Sequence, residues 1–330
     1  MKHIVKKTAR RATVETQMTF RRATIASRQW LMTGTALKIG LFATLSGVVA
    51  LPASPALACD AAPTTSIACG SGGGGYRDTN AVHAETRLEV NAGGRVTTGV
   101  DINNAGNDAD FHVYIDAADP AHHVFTAATV SGGASYNGIG ITTSGNIDVH
   151  AYTGSSVNGG TGNHDGYRLR TTGSGTITVD SAGNVTAGSG TNGGEAIDAQ
   201  SAGGKVEIDL HGGTYTGLKS QTIVAAATNG EVDVNAGVTE GDTSATINGA
   251  LAGTNKHGIW VLRSSTAKVD FENGTVTANN ASAGIMVGYD GTAGSTATAA
   301  NITIGADGKV VGGAGIVVNS TADGTTYNKR

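Results

Sequence analysis

Between Gly138 and Ser320 one short pattern keeps returning, and it restricts the chain more than any other feature. It reads Gly138-Ile139-Gly140-Ile141, Gly166-Tyr167-Arg168-Leu169, Gly194-Glu195-Ala196-Ile197, Gly258-Ile259-Trp260-Val261, Gly284-Ile285-Met286-Val287 and Gly315-Ile316-Val317-Val318. Ile141 to Leu169 and Leu169 to Ile197 are 28 residues each; Val261 to Val287 is 26 and Val287 to Val318 is 31. Thr222-Ile223-Val224-Ala225 fills the gap between Ile197 and Val261 without a leading glycine. A period of this length, with apolar residues alternating inside each unit, is the signature of a solenoid built from strands.

Each unit carries two further apolar segments. About ten residues on come Ile147/Val149, Ile177/Val179, Val206/Ile208/Leu210, Val232/Val234 and Val269/Phe271. A weaker third segment follows around Val185, Tyr215, Val238 and Val276. Three short strands separated by Gly, Asn, Ser, Thr and Asp turns predict an all-β chain wound as a three-faced parallel β-helix, with about 28 residues per coil. Alternation turns Ile, Val and Leu into the bore and Asp, Thr, Lys and Arg outward. One coil buries too little to stand alone, so each depends on its neighbours.

Charge divides the chain. The first 58 residues hold nine Lys or Arg against one acid, Glu15, leaving 13 basic and 25 acidic residues and a net of −12 for the rest. Such a surface repels nucleic acid and acidic membranes. The basic lead-in, the apolar run Ile39 to Leu51, Pro52, Pro55 and Ala56-Leu57-Ala58 read as a long secretory signal over residues 1–58, cleaved between Ala58 and Cys59. The apolar run is short for a membrane span. Arg21-Arg22 followed by Thr24-Ile25 fits a twin-arginine signal poorly, and Ala56 stands where a lipidated cysteine ordinarily has leucine. Cys59 and Cys69, exported to an oxidising compartment, are expected to form one small disulfide loop. Residues 59–80 read as a cap or lead-in, and 81–330 as the solenoid.

Candidates for chemistry are few. His112, Asp116, Asp119, His122 and His123 gather potential metal ligands at one loop, but the spacing matches no ligand template and a polar loop is the expectation, with no metal. Gly159-Gly160-Thr161-Gly162-Asn163-His164 is similar to a calcium-binding glycine-rich nonapeptide with histidine in the carboxylate position, so it reads as a turn. Asp148, Asp180, Asp209 and Asp233 stand on outward strand positions and could stack across coils as an acidic face, with Lys205, Lys268, Arg168 and Arg170 near in phase. Repetition of the strand pattern already explains those acids. No Gly-x-Ser-x-Gly motif occurs; Gly241-Asp242-Thr243-Ser244 is the nearest sequence. No catalytic residue and no cofactor is therefore expected. Trp260, between Ile259 and Val261, points outward, where it would anchor a partner or pack on a neighbouring coil.

The basic lead-in and its A-x-A site, Cys59 and Cys69 opening the mature chain, and the Gly-Ile-x-Val coils together resemble the N-terminal passenger region of bacterial autotransporters of the type V secretion class. That resemblance implies a right-handed parallel β-helix exported to the periplasm and carried to the cell surface by a C-terminal outer-membrane β-barrel. It also implies an adhesin role toward a host or bacterial cell-surface protein or glycan. Thr and Asn ladders suggest self-association as a second mode of binding. A polysaccharide lyase or glycosidase on the same fold is the enzymatic alternative. The alternating segments of a translocator barrel are not read before Lys329-Arg330, so a truncated passenger is also expected.

Overall fold

A computed structural model describes residues 66–69, 75–78, 85–90, 95–104, 110–115, 128–239, 241–249, 256–288, 297–319 and 325–329. The signal segment, its cleavage site at Ala58 and Cys59, the Cys59–Cys69 pair and Asp116 to His123 lie outside the described residues or include a partner that does. All described residues fall in one compact unit, residues 52–330. Among them there is no helix, and every strand pairing is parallel.

Three ladders run through this unit. The first strand of each coil forms one: Ile139–Thr143, Tyr167–Thr171, Ile197–Ser201, Ile223–Ala227, the start of Ile259–Thr277, Ile285–Gly288 and Ile316–Asn319. Ile147–Ala151, Ile177–Ser181, Val206–Leu210 and Glu231–Ala236 belong to the second. Ser156–Asn158, Asn184–Thr186, Thr214–Thr216 and Ala245–Asn248 belong to the third. The expected β-solenoid is thus observed, with about 30 residues from a strand to its parallel partner, as in Tyr167 opposite Ile197. The ladders also reach back into the segment read as a cap, since Ser66–Cys69 pairs with Arg87 to Val90. Toward the other end Ile259–Thr277 and Ala297–Val311 round a corner as single uninterrupted strands.

The bore is filled as alternation requires. Ile139, Ile141, Ile147, Val149 and Val157 from one coil are fully buried, and Tyr167, Leu169, Ile177, Val179 and Val185 repeat the set in the next. Two sequence assignments are corrected. Ile197 aligns with Tyr167, not Leu169, so the third repeat begins at Ala196 and the Gly194 reading is displaced by two residues. A slip of two preserves inward and outward parity, which is why alternation alone does not reveal it. Val238 is 45% exposed, and Ile247 takes the third-ladder position opposite Tyr215, because residues 237–239 and 241–244 lie in a loop before the strand begins.

The repeat glycine has a steric origin. A Cβ on Gly166 would lie 2.4 Å from Val185 Cγ1 and 2.6 Å from the Ala196 carbonyl oxygen; on Gly138 it would lie 2.6 Å from Val157 Cγ1. Gly258 meets Val276 and Gly284 meets Val310 in the same way. The third-strand valine of each such coil therefore occupies the space a side chain at the first strand would need.

At the corners, a side chain of one coil accepts the backbone N–H of the next. Asn137 Oδ1 takes Asp165 N–H at 2.9 Å, Asp165 Oδ1 takes Glu195 N–H at 2.9 Å, and His257 Nδ1 takes Ala283 N–H at 3.1 Å. Asn146 serves Thr176 and Asn184 serves Thr214 at the other corners. Turn residues rich in Asn and Asp thus satisfy backbone donors that the strand ladders leave open.

Candidate functional site

The outer surface of the second ladder carries two columns of side chains one strand spacing apart. Parallel register sets Asp148 opposite Thr178 and Asp233 opposite Glu207 and Lys268 in one column; Asp180 stands opposite His150 and Asp209 in the other. The four aspartates read from the sequence therefore do not form a single acidic column. Asp180 and Asp209 are direct neighbours, and Asp148 and Asp233 are not.

Each of these carboxylates has a partner. His112 Nδ1 lies 3.0 Å from Asp148 Oδ2. Lys268 Nζ reaches Asp233 Oδ1 at 3.3 Å, and Lys205 Nζ lies 3.7 Å from Asp233 Oδ2 and 3.1 Å from Glu207 Oε1. Asn235 Nδ2 donates to Asp209 Oδ1 at 2.8 Å. Burial raises Asp209 above the ordinary carboxylate range, with the Asn235 bond acting the other way.

Asp180 is the centre of a longer chain of groups. His150 Nδ1 stands 3.2 Å from its Oδ2, His211 Nε2 stands 3.0 Å from its Oδ1, and His211 Nδ1 stands 2.9 Å from Asp242 Oδ1. Each ring nitrogen of His211 thus faces a carboxylate oxygen, one on Asp180 and one on Asp242. Asp242 in turn accepts Thr239 N–H at 2.9 Å, so these contacts tie the loop that carries Thr239 and Asp242 to the coil beneath it. The arrangement is a clasp of polar side chains that joins neighbouring coils. No hydroxyl or thiol nucleophile faces it among these partners.

A second acidic group was not read from the sequence. Asp165, Glu195 and Asp198 each bring a carboxylate oxygen within 4.8 Å of the other two. Asp165 and Asp198 are buried, each 7% exposed. Asp165 is pushed up to about 8, first by burial, then by its hydrogen bond with Glu195 and the charges of Asp198 and Glu195. Ser220 Oγ donates to Glu195 Oε1 at 2.6 Å, and Arg170 pairs with Asp198 and with the Asp198 carbonyl. Carboxylates this close are held together by a shared proton, or by a hard cation in its place. Asp165 is legible as a residue just ahead of a coil's first strand; Glu195, its counterpart in the next coil, and Asp198 join it only once the two-residue register shift is known.

Trp260 does not stand free. It is 8% exposed, packs in an outer apolar cluster with Val224, Met286 and Ala283, and donates Nε1–H to the Gly288 carbonyl at 3.1 Å. The His257 ring meets it edge-on, centroids 5.8 Å apart. Gly159 to His164 forms a turn, with Gly160 at φ 79° and its N–H bonded to Asn158 Oδ1. Arg168 is exposed on the first ladder, away from the aspartates of the second. No helix among the described residues is long and apolar enough to cross a membrane.

Comparison with protein-family models, with curated proteins and with solved structures finds no match to this chain.

Proposed function

We propose that this chain is a β-solenoid binding module displayed at a bacterial surface, an autotransporter-type passenger acting as an adhesin. The supporting observation is the state of the outward carboxylates. Asp148, Asp180, Asp209 and Asp233 are each engaged by a histidine, lysine or asparagine of a neighbouring coil. Glycoside cleavage needs two carboxyl groups facing a substrate-wide gap, one of them protonated. Here the outer acids knit coil to coil, and the aspartate raised most among the described residues, Asp165, is buried at a corner. Pairing of this kind makes a rigid exterior suited to presenting loops, and the export signal and coil motifs read from the sequence support display of that surface outside the cell.

The test is adhesion. The full chain, expressed in a bacterium and also added as purified protein to host cell layers and to bacteria, is expected to bind saturably. Absence of saturable binding to either kind of cell overturns the reading. Release of reducing ends from acidic polysaccharides, abolished by Asp180→Asn, would instead establish the lyase or glycosidase alternative.

A further inference from the structure

Ile259–Thr277 follows Ile223–Ala227 in register as far as Val261 opposite Ala225, then slips, so that Arg263 stands opposite Ala226. Leu262 is the extra residue of a β-bulge, a device that re-aims the side chain after it. The bulge brings Arg263 into an outward column that already holds Arg170, Gln200 and Ala226. The short methyl of Ala226 between two long neighbours leaves a groove of about 360 Å³, with Thr228 and Thr172 on its lips.

The charges in this groove are unequal. Arg170 is compensated by Asp198, to which Gln200 Nε2 also donates at 2.9 Å. Arg263, half-buried, has no ion pair or hydrogen bond among the described residues. One uncompensated guanidinium therefore faces a groove on a chain whose net charge is −4. Its planar fork matches a carboxylate or sulfate in two-point contact. The walls offer Gln200 and Thr228 for hydrogen bonding, while their apolar part is limited to Ala202 and Ala226, too small to seat the aromatic or aliphatic anchor of a peptide. The volume falls within the range of small-ligand sites, about 300 to 1,000 Å³.

We propose that this groove binds the acid group of a saccharide, with Arg263 holding the carboxylate or sulfate and Gln200 and Thr228 meeting sugar hydroxyls. The proposal rests on the reading of the chain as a binding module and names the class of ligand that module takes.

The experiment is titration of the full chain with 3′-sialyllactose, with sulfated lactose and with neutral lactose. Binding of either acidic sugar and weak binding of lactose are expected; the stronger of the two identifies the acid group. Arg263→Gln is expected to weaken acidic-sugar binding roughly 10- to 100-fold, as loss of a charged hydrogen bond does. Thr228→Glu, at an exposed position, is expected to weaken it by opposing charge without disturbing the fold. Equal affinity for lactose and the acidic sugars, or unchanged affinity in Arg263→Gln, overturns the proposal. Saturable cell binding that persists in Arg263→Gln while no acidic sugar binds would reject the groove and keep the adhesin reading. Acidic-sugar binding lost in Arg263→Gln, in a chain that binds no cell, would keep the groove and reject the adhesin reading.

Discussion

Gly166 shows how much one missing side chain decides. Its position is fixed from two sides, by Val185 of its own coil and by the Ala196 carbonyl of the next. Gly166→Ala is expected to lower stability by about 1 to 3 kcal/mol, the usual result of overpacking, measured by chemical denaturation. Gly166→Ala with Val185→Ala should lose less than the sum of the separate changes, because the methyl contact is relieved while the carbonyl contact remains. Asp165 makes a second residue-scale case, through its proton. Its folded pKa of about 8 stands above the ordinary 3.8, so between those values the folded protein holds a proton that the unfolded chain has released. Stability from this group is therefore fullest below about pH 4 and declines as pH rises toward 8. Asp165→Asn keeps an oxygen for the Glu195 N–H and removes the titration. It should raise the melting temperature at pH 8 more than at pH 4; an equal shift at both would contradict the assignment.

At the level of strands and loops, the second ladder was the most legible part, since Ile, Val, Leu and Phe alternate there with little interruption. The first ladder was legible in parity but not in register, because Ala196 and Thr222 replace the glycine where Tyr215 and Ile247 replace the valine that demands it. The third ladder was least legible. Its strands are three or four residues long, and the inserted loop ahead of Ala245 offered Val238 as a false apolar signal. Pairings between distant residues, such as His211 with Asp242, follow from that loop's path and leave no local mark in sequence. The loop hangs on that pairing. His211→Ala should cost about 1 kcal/mol and accelerate amide hydrogen exchange at Thr239, whose acceptor Asp242 loses its anchor. Unchanged exchange there would show the loop to be held by its backbone bonds to the coil below, such as Thr243 N–H to the His211 carbonyl.

For the molecule as a whole, the parallel ladders make each coil interchangeable in register with its neighbour. Excising one full coil, residues 167–196, would join Gly166 to Ile197 and bring Ile197–Ser201 against Ile139–Thr143, apolar on apolar. That chain is expected to stay folded, with an unchanged far-ultraviolet circular dichroism shape. Removing about half as many residues from the same point would set strand against turn and is expected to unfold the chain from there on. The corner bonds and the strand ladders share one further property: nearly all of them connect a coil to the one before it. Pulled from its two ends, such a chain meets these bonds a coil at a time and not all at once. Each coil of about 30 residues releases on the order of 100 Å of slack at 3.3 to 3.6 Å per residue. Under tension the protein would yield in steps, lengthening as a ratcheted tether that keeps hold while its outermost coils give way.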